Sequence, residues 1–185
     1  MIAHAKTSAS HPLRIDALTF GAGAIGITFC PGKRQSNALS GCWERDLAMD
    51  VDAMAAWGCS EVITLVEPWE LDELKVPHLG ASVAARGWRW HHWPITDGEA
   101  PDARFLEAWA SEQEALRDRL RQGARIVVHC KGGLGRAGTV AATLLAFERP
   151  ESSIEALIAE VRAARPGAIE TTAQERFLQG LERYR

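Results

Sequence analysis

His129-Cys130-Lys131-Gly132-Gly133-Leu134-Gly135-Arg136-Ala137-Gly138-Thr139 follows the β-branched run Ile126-Val127-Val128 without interruption. A short, wholly apolar run of this kind reads as a buried strand, and the glycines behind it as a turn. Cys130 therefore stands where a strand ends, and Arg136 stands where a helix begins. Gly132, Gly133 and Gly135 impose little steric cost, so the N–H groups from Lys131 through Leu134 to Arg136 can curl around one centre. The positive end of the next helix points at the same place, and Arg136 adds a planar fork that matches two phosphoryl oxygens. A free cysteine is a poor nucleophile at neutral pH until its thiolate is stabilised, which such a loop can do. The segment points to hydrolysis of a phosphate monoester. It lacks the Gly-Lys-Ser/Thr ending of a nucleotide-binding loop.

Outward from this loop, short strands alternate with amphipathic helices. Leu13 to Ile27 reads as a hairpin-like lead-in, with Ile25–Phe29 as a first strand and Cys30–Gln35 as a turn. Leu47, Val51, Met54 and Ala55 repeat at helical spacing up to Gly58, and Val62–Val66 is a strand. Leu71–Leu79 reads as loop and short helix, Trp88–Trp93 as a strand that ends at Pro94. Phe105, Trp109, Leu116 and Leu120 mark a long helix stopped by Gly123. A helix runs from the cysteine loop to about Phe147. Ser152 with Glu155 resembles a capping box, and Gln174, Phe177, Leu178 and Leu181 mark a last helix. The expectation is an α/β fold, a three-layer α/β/α sandwich on a mostly parallel sheet of four or five strands. Residues 1–12 are expected to be a flexible tail and residues 13–185 a single domain, with no internal repeat.

The 185 residues are 46% hydrophobic and 24% charged, and the net charge of −3 provides no basic field for nucleic acid. No stretch approaches the roughly 18 apolar residues of a membrane span, and no signal-peptide pattern opens the chain. Cys30, Cys42, Cys59 and Cys130 lack close CxxC spacing, so reduced thiols are expected, with no zinc and no other cofactor. These features suit a monomeric cytoplasmic protein.

The His129–Arg136 segment resembles the HCxxGxxR signature of cysteine-dependent protein phosphatases of the tyrosine and dual-specificity kind. The resemblance extends from about Ile25 to Leu181 and is nearest to the kinase-associated, cyclin-dependent kinase inhibitor-like branch. Its further tokens are Phe29-Cys30-Pro31-Gly32, Arg45-Asp46-Leu47, His91-His92-Trp93-Pro94-Ile95-Thr96-Asp97-Gly98 and Gly167-Ala168-Ile169-Glu170-Thr171 with Gln174. The resemblance implies a fold of the phosphotyrosine-phosphatase kind, a cysteinyl-phosphate on Cys130, and equatorial oxygens held by Arg136 and the loop amides. It implies that His129 tunes the thiolate from behind the loop and that Gln174 orients water.

A leaving alkoxide or phenolate needs a proton, and Asp97 in Pro-Ile-Thr-Asp-Gly is the expected donor, with Asp102 in reserve. Asp97-Gly98 is equally a common turn pair, and Pro101-Asp102 a natural helix opening. Lys131, Lys33 and Arg34 are candidates for a positive rim. Cys30 is a candidate for approaching Cys130, which would permit reversible oxidative protection. One departure stands out: Ala137 occupies the place where the family carries Ser or Thr, and the missing hydroxyl predicts a slow second step. The substrate is thus expected to be a phosphorylated protein, through phosphotyrosine first and phosphoserine or phosphothreonine second, or else a small or lipid phosphate ester. The competing classes are a low-turnover phosphoprotein-binding module and a sulfur-transfer enzyme.

Overall fold

In the computed structural model, which describes residues 5–183, the chain runs β1 (Asp16–Phe20), β2 (Gly23–Phe29), β3 (Arg34–Ala38), β4 (Gly41–Glu44), α1 (Leu47–Trp57), β5 (Glu61–Thr64), α2 (Pro68–Glu73) and α3 (Leu79–Ala84). It continues through β6 (Arg89–His92), α4 (Ala103–Arg121), β7 (Arg125–Cys130), α5 (Gly135–Glu148), α6 (Ile154–Ala164), α7 (Thr172–Gly180) and a last 3₁₀ turn at Leu181–Arg183. β7 lies at the middle of a sheet ordered β1-β2-β7-β5-β6. β2, β7, β5 and β6 are parallel, and β1 is an antiparallel edge formed by the expected lead-in hairpin.

The unbroken apolar run in β7 reflects burial on both sides of the sheet. Ile126 and Val128 join one cluster with Ile25, Ile27, Ile63 and residues of α4, α5, α6 and α7. Val127, one residue out of phase, joins the other with Val62, Val66 and residues of α1, α2 and α3. These two clusters are the two interfaces of a three-layer α/β/α sandwich.

The helix ends follow local chemistry. Asp46 caps α1 by accepting from Met49 N, and Gly58 ends it in the left-handed region at φ 89°. α6 is capped by Ser153, which accepts from Ala156 N, and not by Ser152 as the sequence suggested. With Ala156 at the third helical position no capping box can form there. The box appears instead at α7, between Thr171 and Gln174.

Two expectations change near the N-terminus. The expected turn at Cys30–Gln35 stops at Lys33, and Arg34 opens a β3–β4 hairpin. The expected flexible tail is tied down over its described part, residues 5–12, whereas residues 1–4 lie outside the described residues. Lys6 N–H donates to the Cys42 carbonyl at 2.8 Å and its carbonyl accepts from Glu44 N at 3.0 Å. Ser8 Oγ accepts from Asp46 N at 2.9 Å, and the His11 carbonyl accepts from Arg45 Nη1 at 2.8 Å. Polar spacing carried no sign of this docking, because backbone pairing with β4 provides it.

Candidate active site

Four parallel strands end at the same edge of the sheet, so residues far apart in sequence emerge there together. Lys33 follows β2, Glu70 follows β5, Asp97 follows β6, and Cys130 ends β7. Lys33 and Asp97 line a cleft of about 610 Å³ together with Phe29, Trp43, Lys131, Leu134, Arg165 and Glu170.

Cys130 is 3% exposed, and its Sγ accepts a hydrogen bond from Gly133 N at 3.2 Å. Gly133 has φ 71°, and a Cβ there would stand 2.4 Å from the Thr28 carbonyl carbon. Only glycine fits this close approach of the loop to β2. α5 starts at Gly135, so its N-terminal dipole is directed at the loop. Gly135 N donates to Glu170 Oε2 at 2.8 Å.

Arg136 is 1% exposed and held in place by three groups from other elements. Its Nη1 and Nη2 bind Glu70 at 2.6 and 2.9 Å, and Nη1 also donates to the Ile95 carbonyl at 2.9 Å. Nη2 lies 2.8 Å from Asp97 Oδ1. Nε is buried with no partner among the described residues. Burial works against the guanidinium charge, but Glu70, Cys130 and Asp97 together outweigh it, and the net direction is toward firmer protonation. Asp97 itself is a largely exposed carboxylate, 59% by side-chain area, which leaves it free to move.

His129 lies behind the loop, fully buried. Its Nε2 is 2.8 Å from Thr64 Oγ1, which accepts from Trp90 Nε1 at 2.9 Å. The Thr64 hydroxyl hydrogen then points to Nε2, which assigns the ring proton to Nδ1, 3.5 Å from the Cys130 carbonyl. Burial pushes the imidazole down to about 3, so it stays neutral.

The remaining candidates separate. Lys33 is 3% exposed, with Nζ 3.2 Å from the Lys131 carbonyl, and burial lowers its ammonium to about 8. Lys131 lines the cleft and pairs with Glu73 at 3.2 Å. Arg34 points elsewhere: it is exposed on β3 and is not among the cleft walls. Asp102 accepts from Arg104 N and Phe105 N as the cap of α4. Desolvation opposes its charge, but Arg104 holds its carboxyl below the usual range, the wrong direction for a proton donor.

Gln174 is buried and fully engaged, accepting from Glu170 N and Thr171 N and donating to the Glu99 carbonyl at 3.2 Å. These contacts join α7 to the loop that follows Asp97. Cys30 is buried with its thiol pushed up by desolvation, and the four cysteines are all free. Among the described residues, no group of three or more His, Cys, Asp or Glu side chains is placed to hold a metal ion.

Sequence reasoning missed Glu70 and Arg165, and it quoted Glu170 only within the Gly167–Thr171 token without a role. Glu70 lies in the segment Glu67-Pro68-Trp69-Glu70, which has no distinguishing pattern. Arg165 reads only as part of a Pro-Gly break.

Comparison with known proteins follows the same contour. Residues 37–178 match the family model described as the Swiss Army Knife protein DSP-PTPase phosphatase domain. Cyclin-dependent kinase inhibitor 3 of Sus scrofa is 33% identical over 146 residues, 76% of this chain and 68% of the relative. Among solved structures, kinase associated phosphatase with serine replacing its catalytic-site cysteine superposes with TM-score 0.82 at 27% identity, over 93% of this chain and 95% of that one. Tk-PTP in its active form superposes with TM-score 0.68 at 30% identity, over 92% and 98%.

Proposed function

Because this chain belongs to the DSP-PTPase phosphatase family and is a cysteine-dependent protein phosphatase, we propose that Cys130 is its nucleophile, Arg136 its phosphoryl clamp and Asp97 its acid. The observation that carries this assignment is the Arg136 guanidinium. It is buried and braced by Glu70, yet its Nε has no partner among the described residues and its Nη2 is shared with the exposed Asp97 carboxylate. A phosphoryl group above Sγ supplies acceptors for both donors and for the amides of the Lys131–Arg136 loop other than Gly135 N, which Glu170 holds.

In the first step the sulfur lone pair forms the S–P bond while the P–O ester bond breaks. Taking over Nη2 releases the Asp97 carboxylate, which picks up a proton from solvent and passes it to the leaving oxygen. In the second step water attacks phosphorus, Asp97 accepts the proton, and the S–P bond returns its electrons to sulfur. The positive charge that phosphoryl transfer needs comes from Arg136 and oriented N–H groups, and neutral His129 holds the loop from behind.

Phosphotyrosine is the preferred substrate class, since Phe29, Trp43 and Leu39 give the cleft an aromatic and apolar wall that suits a ring. Four free cysteines suit a reducing compartment such as the cytoplasm. Among the described residues no helix is long and apolar enough to cross a membrane.

A second reading, a phosphoprotein binder with slow turnover, draws on Ala137. Thr139 does not replace the missing hydroxyl, because its Oγ1 donates to the Gly135 carbonyl at 2.8 Å. Rapid-mix release of the phenol from an aromatic phosphate ester separates the two, because the phenol leaves in the first step and inorganic phosphate only in the second. Sustained release that Cys130→Ser abolishes and Asp97→Ala reduces supports the enzyme mechanism. A stoichiometric burst followed by near silence supports the binder, and absence of any release refutes the assignment of Cys130.

A further inference from the structure

We propose that Arg165 is a positioning residue for the cysteine loop, holding the two peptide groups that face Cys130 and the phosphoryl site; this rests on Cys130 being the nucleophile. Arg165 follows α6, and its guanidinium makes contacts in three directions. Nε donates to the Gly133 carbonyl at 3.0 Å, Nη2 to the Gly132 carbonyl at 3.3 Å, and Nη1 to Asp16 Oδ2 at 2.8 Å. Its side chain is only 12% exposed, and that of Asp16 9%.

The geometry of the peptide unit turns these contacts into control over the site. In a trans peptide the carbonyl of one residue and the N–H of the next point in opposite directions, and no cis bond occurs among the described residues. The Gly132 carbonyl shares its peptide group with Gly133 N–H, the donor that touches Cys130 Sγ at 3.2 Å. Arg165 thus grips the outer end of the group whose inner end contacts the sulfur. By the same rule its bond to the Gly133 carbonyl sets the peptide that carries Leu134 N–H, the next amide of the loop.

Close packing against β2 holds Gly133 but not Gly132. A Cβ on Gly132 would meet nothing within 4 Å, so packing does not constrain that residue. Two adjacent glycines leave their shared peptide free to rotate, and a flipped plane would present carbonyl oxygens to a dianion. The guanidinium removes that alternative and, by polarising both carbonyls, strengthens the N–H donors at their far ends. Asp16 on β1 orients the fork and balances its charge. Lysine would supply charge without the fixed fork.

The test compares wild type with Arg165→Met, Arg165→Lys and Asp16→Asn. The readouts are iodoacetate modification of Cys130 at mildly acidic pH, located by peptide mass, and competitive inhibition by inorganic phosphate. Thermal unfolding monitors the fold. Loss of one hydrogen-bonded charge contact corresponds to about tenfold. Arg165→Met is therefore expected to slow Cys130 alkylation and weaken phosphate binding about tenfold each, with Arg165→Lys and Asp16→Asn in between. Alkylation and phosphate affinity unchanged in folded Arg165→Met overturn the proposal. Should that variant not fold, unchanged values in Arg165→Lys overturn it equally. Wild type whose turnover survives Cys130→Ser would instead refute the nucleophile assignment.

Discussion

The pair Arg136–Glu70 provides the sharpest test of how this site is built. Glu70→Gln keeps the side-chain volume and removes the charge. In the native site Glu70 Oε2 accepts from Arg136 Nη1 and Glu67 N, and Oε1 accepts from Arg136 Nη2. A glutamine has one acceptor oxygen for these three donors, and its own NH₂ must face one of them. Both partners are at most 1% exposed, so water cannot supply the missing acceptor. Breaking a buried ion pair by removing one partner costs about 3–5 kcal/mol, and retained volume with the Ile95 carbonyl still bonded places this case near 3. For a chain of this size that is a fall in Tm of about 6–12 °C. The unbraced fork also turns away from the phosphoryl site, which lowers kcat/KM on the order of 100-fold. Chemical denaturation and steady-state hydrolysis of an aromatic phosphate ester measure both. In the double variant Glu70→Gln/Arg136→Met the orphaned charge is gone, so the two losses of stability should fall short of additivity by about 2 kcal/mol. A Glu70→Gln protein within about 0.5 kcal/mol of wild type, or strict additivity in the double variant, refutes the reasoning.

Three other outcomes follow from the same geometry. Gly133→Ala should destabilise by about 3 kcal/mol through its left-handed backbone and its collision with the Thr28 carbonyl, whereas Gly132→Ala, with open space around it, should cost under about 1 kcal/mol by denaturant titration. Buried neutral His129, with its imidazole down at about 3 against 6.5 in the open, makes the unfolded chain bind the extra proton as pH falls from 6.5 toward 3. Stability should therefore drop by up to about 1.4 kcal/mol per pH unit across that window, and the slope should shrink in His129→Asn when unfolding is followed against pH. Ala137→Ser should accelerate phosphoenzyme breakdown about tenfold if the missing hydroxyl limits turnover, seen as a rise in steady-state rate with the burst phase unchanged; an unchanged steady state would clear Ala137 of the defect.

What the sequence by itself determined is the part of the protein whose physics is local. Ile126–Val128 is apolar on successive residues because both sheet faces are covered, the glycines after it accept a backbone that other residues cannot, and Arg136 opens a helix. Those facts place Cys130 and Arg136 in one loop with no reference to the rest of the chain. The same local logic found the α4 stripe of Phe105, Trp109, Leu116 and Leu120, all of them buried. It slipped by one residue at Ser152, where two adjacent serines offer the same cap and only the position of the helix chooses Ser153.

Only the tertiary structure decided which distant groups serve that loop. Glu70 lies 66 residues from Arg136, and Arg165 binds Asp16 from 149 residues away. Asp97 was legible as a candidate through its resemblance token, but its contact with Arg136 depends on β6 and β7 ending at the same sheet edge. Gln174 spends its side-chain oxygen on backbone amides of its own cap and an amide hydrogen on the Glu99 carbonyl, contacts that no local pattern announced. Asp102 looked like an acid in reserve and is a cap. The physical reason is common to all of them. Strand and turn preferences are set by neighbouring residues, whereas the partners of a buried charge are set by where parallel strands end. That depends on sheet order, which no local pattern encodes.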